Sequence, residues 1–204
     1  MKLVIIDGLD GCGKSTQANL VLKSLKKMNK TVCLRVHPEN DNWFGVKARA
    51  YLYSKGKSAH FASALFYMAD VLRSILLYYW RQVDFVIFVR YLMGTAYLPS
   101  PLDTVSYNFF ALLVPKSENM FFLDVNPAEA ADRIAKNRKQ TEMFESLNAL
   151  EKVRAKALLL TRFDKWTIID SNRPISEVAS ALKANLFGQQ RTLHIQDGFT
   201  QVFG

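Results

Sequence analysis

Cysteine is scarce in this chain: Cys12 and Cys33 are all it has. With no export-signal pattern at the front, where a short apolar run reads as a first strand, a reduced cytoplasmic setting is expected. Uncharged stretches of membrane-spanning length are also missing. The most apolar region, Phe61 to Trp80, is interrupted by Asp70 and Arg73, which predicts a buried helix and no membrane span. Blocks of five or more like charges, internal repeats and low-complexity segments are absent too. The lysines of the first helix, Lys23, Lys26, Lys27 and Lys30, are scattered like those of a solvated face. A nucleic-acid partner is therefore not expected, although the formal net charge is +9. A chain that binds two phosphorylated ligands would lean basic as well.

What is present is enough for one domain. The 204 residues are 50% apolar, which suits a single core carrying a small lid. Five β-rich runs (2–7, 31–36, 84–89, 120–125 and 166–170) alternate with helical segments at about 15–28, 43–56, 58–79, 102–113, 127–136, 145–162 and 174–186. That alternation predicts an α/β fold: a five-stranded parallel sheet with helices on both faces, ligands lying at the carboxyl ends of the strands. The long helix is expected to bury a stripe of Phe61, Leu65, Met68, Leu72, Ile75 and Tyr79. Residues 1–187 form the expected domain, with a lid at about 137–146. Residues 188–204 form a tail of unassigned role.

The stretch between the first strand and first helix carries the clearest chemistry. Gly8, Leu9, Asp10, Gly11, Cys12, Gly13, Lys14, Ser15 and Thr16 follow the phosphate-loop spacing of two glycines, a lysine and a hydroxyl. Glycines let backbone N–H groups turn inward around an anion, and the helix N-terminus adds its dipole. Lys14 is placed for the β and γ oxygens of a nucleoside triphosphate, and the Ser15 hydroxyl for Mg²⁺. Cys12 is expected to point outward as filler. Arg90, directly after the third strand, can clamp an acceptor phosphate. Arg49 is either a second clamp or part of a solvated helix face. Phe66, Asp70 and Arg73 share one helix face. There Phe66 stacks on a base or packs in the core, and Arg73 serves the ligand or pairs with Asp70. Asp7 and Asp124, at strand ends, are candidate metal-side acids or turn formers.

"DGLDGCGKSTQA" closely resembles the phosphate loop of thymidylate kinases of the archaeal type, and the likeness runs from residue 2 to about 186. Pro38 with "FGVKAR", "LFYMA" (65–69), "VRY" with Ala96-Tyr97, "FFLDVNP", "RIAKNR", "MFE…LEKVR" and "IIDSNRPISEV" are similar to that family's successive segments. The resemblance implies a nucleoside monophosphate kinase, converting dTMP to dTDP with Mg²⁺ and ATP, as a homodimer. It implies substrate contacts for Asp10, Pro38, Arg49, Phe66, Arg73, Arg90 and Tyr97. Because Gly11 stands where a loop arginine would act, it implies that the lid supplies the transition-state cation: Arg138 first, then Arg133, Lys136 and Lys139. Lys14, Arg90 and Arg138 are thus the expected catalytic residues. The chain departs from the family pattern at Asp70, Val89, Pro99 and Met143. Those departures leave open a kinase for another acceptor, or a nucleotide sensor without turnover.

Overall fold

The computed structural model describes residues 1–54, 57–137 and 146–200. Five strands, β1 (Lys2–Gly8), β2 (Val32–Val36), β3 (Phe85–Val89), β4 (Met120–Asp124) and β5 (Trp166–Asp170), form one sheet. Its order is β2-β3-β1-β4-β5, with every neighbouring pair parallel. A parallel sheet covered on both faces needs strands that are apolar throughout. Leu3 to Ile6 and Phe85 to Val89 meet that need, and all nine are buried. Burial of each such large side chain is worth roughly 1.5–3 kcal/mol, so the two central strands are the most strongly held part of the sheet.

The helices are α1 (Lys14–Lys27), α2 (Trp43–Leu52), α3 (Lys57–Ser74), α4 (Leu102–Leu113), α5 (Pro127–Asn137), α6 (Leu147–Leu160) and α7 (Ile175–Thr200). Asn42 caps α2 by accepting from the Gly45 N–H at 3.0 Å, and Ser146 caps α6 through Ala149. The α2 helix ends at Leu52, short of Gly56. The last helix continues through Gly188 to Thr200, where the sequence pattern had stopped at 186.

Helix α3 differs from its expected stripe. Phe61 and Leu65 are exposed, Leu65 at 62%, while Ala59, Ser63, Asp70, Val71 and Ser74 face inward. Ser63 of that face lines a cleft, while Val71 joins the core. Of the expected stripe only Phe61 and Leu65 are left outside; Ile75 is buried, and Met68, Leu72 and Tyr79 pack against the core. Ile75–Tyr79 continues α3 as a π-helical turn, which leaves Leu76 at 72% and Trp80 at 75% exposed. By length and hydropathy Phe61–Tyr79 is apolar enough to cross a membrane, yet only 28% of it is buried. The expectation of a buried helix is thus corrected to a half-covered one. Its inner face holds Asp70 in hydrogen bonds to the loop above it. A short 3₁₀ segment, Met93–Tyr97, was not expected.

Candidate active site

β1 lies in the middle of the sheet, so the loop after it opens between two halves. Two of its glycines have no substitute. Gly8 has φ 145° and a Cβ there would stand 2.5 Å from the Leu123 carbonyl oxygen. Gly11 has φ 78°, and a Cβ there would stand 2.6 Å from the Ala130 carbonyl oxygen. The loop therefore lies directly on β4 and α5. Lys14 starts α1 and is 5% exposed. Its Nζ folds back over the loop, donating to the Gly8 carbonyl at 2.8 Å and to that of Leu9, 3.9 Å from Asp10 Oδ1. Leu9 is buried, whereas Ser15 and Thr16 are exposed on the first turn. Cys12 does not point outward: it is buried, its Sγ 3.8 Å from Lys14 Nζ, and burial raises its thiol pKa. The loop turns its side chain into the space beside Gly8, where that residue lacks a Cβ.

Beside the loop is a cleft of about 650 Å³, counting the solvent at its mouth. Its polar end is Asp10, Arg90 and Tyr97, and its apolar wall includes Ala48, Leu52, Ala64 and Leu98. Gly8 and Pro38 line it as well. Arg90 has φ 58°, the left-handed region that a residue with a Cβ adopts only when held there. Its N–H donates to the Ile6 carbonyl at 3.1 Å, and its own carbonyl accepts from His37 Nδ1 at 3.0 Å. Its guanidinium pairs with Asp10 Oδ1 and donates to the His37 carbonyl at 3.3 Å. The Tyr97 hydroxyl donates to Asp10 Oδ2 at 2.9 Å. Burial by itself would raise the Asp10 pKa. The Arg90 and Lys14 charges outweigh it, so the carboxyl stays well below the usual range. Asp10 thus links Lys14 at the loop to Arg90 in the cleft.

Other candidates stand elsewhere. Phe66 does not line the cleft: it packs against Trp43 and Tyr51, with ring centroids 5.2 and 5.7 Å away. Tyr67, one position on, takes the wall, and its hydroxyl donates to the Tyr91 carbonyl at 3.1 Å. Arg73 faces Asp41 at 3.6 Å, and Asp70 does not pair with it. Arg49 donates to the Pro38 carbonyl at 2.6 Å, at the edge of the cleft. Asp7 accepts from the N–H groups of Gly8, Tyr91 and Met93. Burial raises its pKa against Lys14 and those amides. It fastens the phosphate loop to the segment after β3, so its lone pairs are committed. Asp124 is held bidentately by Arg154 at 2.7 and 2.8 Å. Arg133 pairs with Glu129 and donates to the Ser171 carbonyl, and Ser171 in turn donates to the Cys12 carbonyl. Lys136 pairs with Asp132. Arg138, Lys139 and Met143 lie outside the described residues. Tyr67 and Ser171 were missed. An aromatic next to Phe66 and a polar residue at each strand end were the available signals.

A thymidylate kinase family model matches residues 6–182. The probable thymidylate kinase of Pyrobaculum calidifontis is 28% identical over 190 residues, covering 89% of this chain and 93% of its own. The thymidylate kinase of Prochlorococcus marinus is 26% identical over 207 residues, covering 91% and 95%. The solved thymidylate kinase of Candida albicans superposes with a TM-score of 0.71 at 22% identity, over 93% of this chain and 92% of that one. It shares the fold. With its phosphate loop, central β1 and cleft after β3, the chain belongs to the thymidylate kinase family.

Proposed function

We propose that the protein transfers the γ-phosphoryl group of ATP to dTMP, giving ADP and dTDP. The observation that carries this reading is the Lys14–Asp10–Arg90 array, which joins a phosphate loop directly to the cleft. Phosphoryl transfer asks for alignment and positive charge more than covalent chemistry. Lys14 can leave the Gly8 and Leu9 carbonyls for the β and γ oxygens while the loop amides hold the chain of phosphates. Arg90 holds the acceptor phosphate. An acceptor oxygen then bonds to the γ phosphorus as the bond to the β–γ bridging oxygen breaks. Asp10 and Tyr97 are placed for the sugar, and the wall of Tyr67, Ala48, Leu52 and Leu98 for the base.

The donor set fits Mg²⁺ in one way. Among the described residues no group of three His, Cys, Asp or Glu side chains stands together to hold a metal. Asp7, Asp10 and Asp124 are engaged as described. The exposed Ser15 hydroxyl is the protein oxygen that would hold Mg²⁺, an ion that usually takes few protein ligands beside phosphates and water. Bound there, it would neutralise charge on the transferring phosphates.

The exposed Leu65, Leu76, Leu77 and Trp80 on α3 and its continuation support a homodimer through that face, since apolar patches of this kind are rarely left to solvent. Cys12 and Cys33 are free thiols, in keeping with a cytoplasmic setting. A coupled assay with Mg·ATP and a panel of nucleoside monophosphates tests the reading. dTMP is expected to give the highest kcat/KM. A better acceptor, or ATP binding with no transfer to any monophosphate, overturns it. Sedimentation should give twice the chain mass.

A further inference from the structure

Beside the acceptor cleft lies a polar cluster that the transfer itself does not use. Asp70, fully buried on α3, accepts from the Glu39 N–H at 2.8 Å with one oxygen and from Asn42 Nδ2 at 2.6 Å with the other. Asn42 uses its own carbonyl to cap α2. The Glu39 carboxylate turns back to accept the Val36 N–H at 2.7 Å. One carboxylate therefore fastens the 37–42 loop and the start of α2 to α3. The nearby cations are committed to other acids: Arg35 to Asp41 at 2.7 Å and Glu39 at 3.4 Å, and Arg73 to Asp41 at 3.6 Å.

The same loop presents two carbonyls to two guanidinium groups. Arg90 donates to His37 and Arg49 to Pro38. Pro38 also lines the cleft, as does Ala48 of α2. We propose that Asp70 is a positioning residue for the acceptor phosphate: it sets the place of the His37 and Pro38 carbonyls, and through them the aim of Arg90 and Arg49. Both oxygens of Asp70 face donors, so a carboxylate serves where an amide does not. An asparagine would turn its NH₂ against either the Glu39 N–H or the Asn42 NH₂. The inference rests on the reading of Arg90 and Arg49 as acceptor ligands.

The test is steady-state kinetics of Asp70→Asn, Arg49→Ala and the double variant, with ATP and dTMP varied in turn. The expected result for Asp70→Asn is a rise of roughly tenfold to a hundredfold in the KM for dTMP, with the KM for ATP within about twofold. In the double variant the two losses should combine to less than their product, because both act through one loop. Equal losses for both substrates, or strictly multiplicative losses, overturn the proposal. Should Asp70→Asn fail to fold, Asn42→Ala removes one of its two partners and must give the same selective rise. Lack of turnover by the unmodified protein sinks the functional reading, and this proposal with it. If Arg49→Ala and Arg90→Ala raise the KM for dTMP while Asp70→Asn does not, only the proposal fails.

Discussion

His37 should make the fold sensitive to mild acid, and replacing it with phenylalanine should remove that sensitivity. The imidazole is fully buried against Phe88, with ring centroids 5.5 Å apart. Nδ1 lies 3.0 Å from the Arg90 carbonyl and so carries the proton. Nε2 is buried with no partner among the described residues. Protonation would add a buried N–H with nothing to accept it. Burial accordingly pushes the His37 pKa down from 6.5 to about 4. As pH falls below 6.5 the unfolded chain takes a proton that the folded one refuses, so stability is lost between that value and about 4. At pH 5 the proton-binding ratio of the two states is about 30, equivalent to about 2 kcal/mol; at pH 7.5 it is near unity. Urea unfolding of the parent and His37→Phe at both pH values measures this. The variant loses the contact to Arg90 at either pH. On going to pH 5, however, the stability gap should shift by about 2 kcal/mol in its favour, or about 1 M in urea midpoint. The buried Asp7 and Asp70, whose pKa values are raised, act in the opposite sense, but both proteins contain them and they cancel in the difference. A gap equal at both pH values would refute the reasoning, since His37 would then titrate alike folded and unfolded.

Lys14→Met should lower kcat by about a hundredfold or more with the fold intact by circular dichroism; turnover near the parent value would remove the lysine from the transfer. Gly45→Ala would put a Cβ 2.0 Å from the Glu39 carbonyl oxygen. The resulting shift of the 37–42 loop should cost about 1–3 kcal/mol and several degrees of Tm by calorimetry. Arg138→Ala tests the role assigned from sequence, with kcat expected to fall more than ATP affinity in parallel kinetic and binding measurements.

The strands and the phosphate loop could be read from the chain because their physics is local. The central strands β1, β3 and β4 are nearly continuous apolar runs, and the loop is a fixed spacing of glycines, lysine and hydroxyl. The acceptor wall could not be read in the same way. Phe66 and Tyr67 lie about 100° apart on one helix, and only the position of α2 decides which of them meets the cleft. The stripe expected on α3 assumed that large apolar residues point inward. Met68, Leu72, Ile75 and Tyr79 do so, but Phe61 and Leu65 do not, while Ser63 and Asp70 are buried with partners from α2 and the loop before it. Cys12 was judged by its glycine neighbours, whereas its burial depends on Gly8, four residues earlier in the chain. The aim of Arg90 rests on a left-handed backbone and on His37, neither of which leaves a periodic trace.

The placement of β1 between β3 and β4 has a consequence for how such a protein can diversify. Apart from Asp7, Gly8 and Asp10, the residues lining the cleft hang from β2, β3 and the segments after them. The contacts behind the triphosphate loop, through Ser171 and Arg133, come from β5 and α5. Substitutions on one flank can retune the choice of acceptor while the opposite flank continues to hold ATP unchanged, and Asp10 is the hinge at which the two inheritances meet.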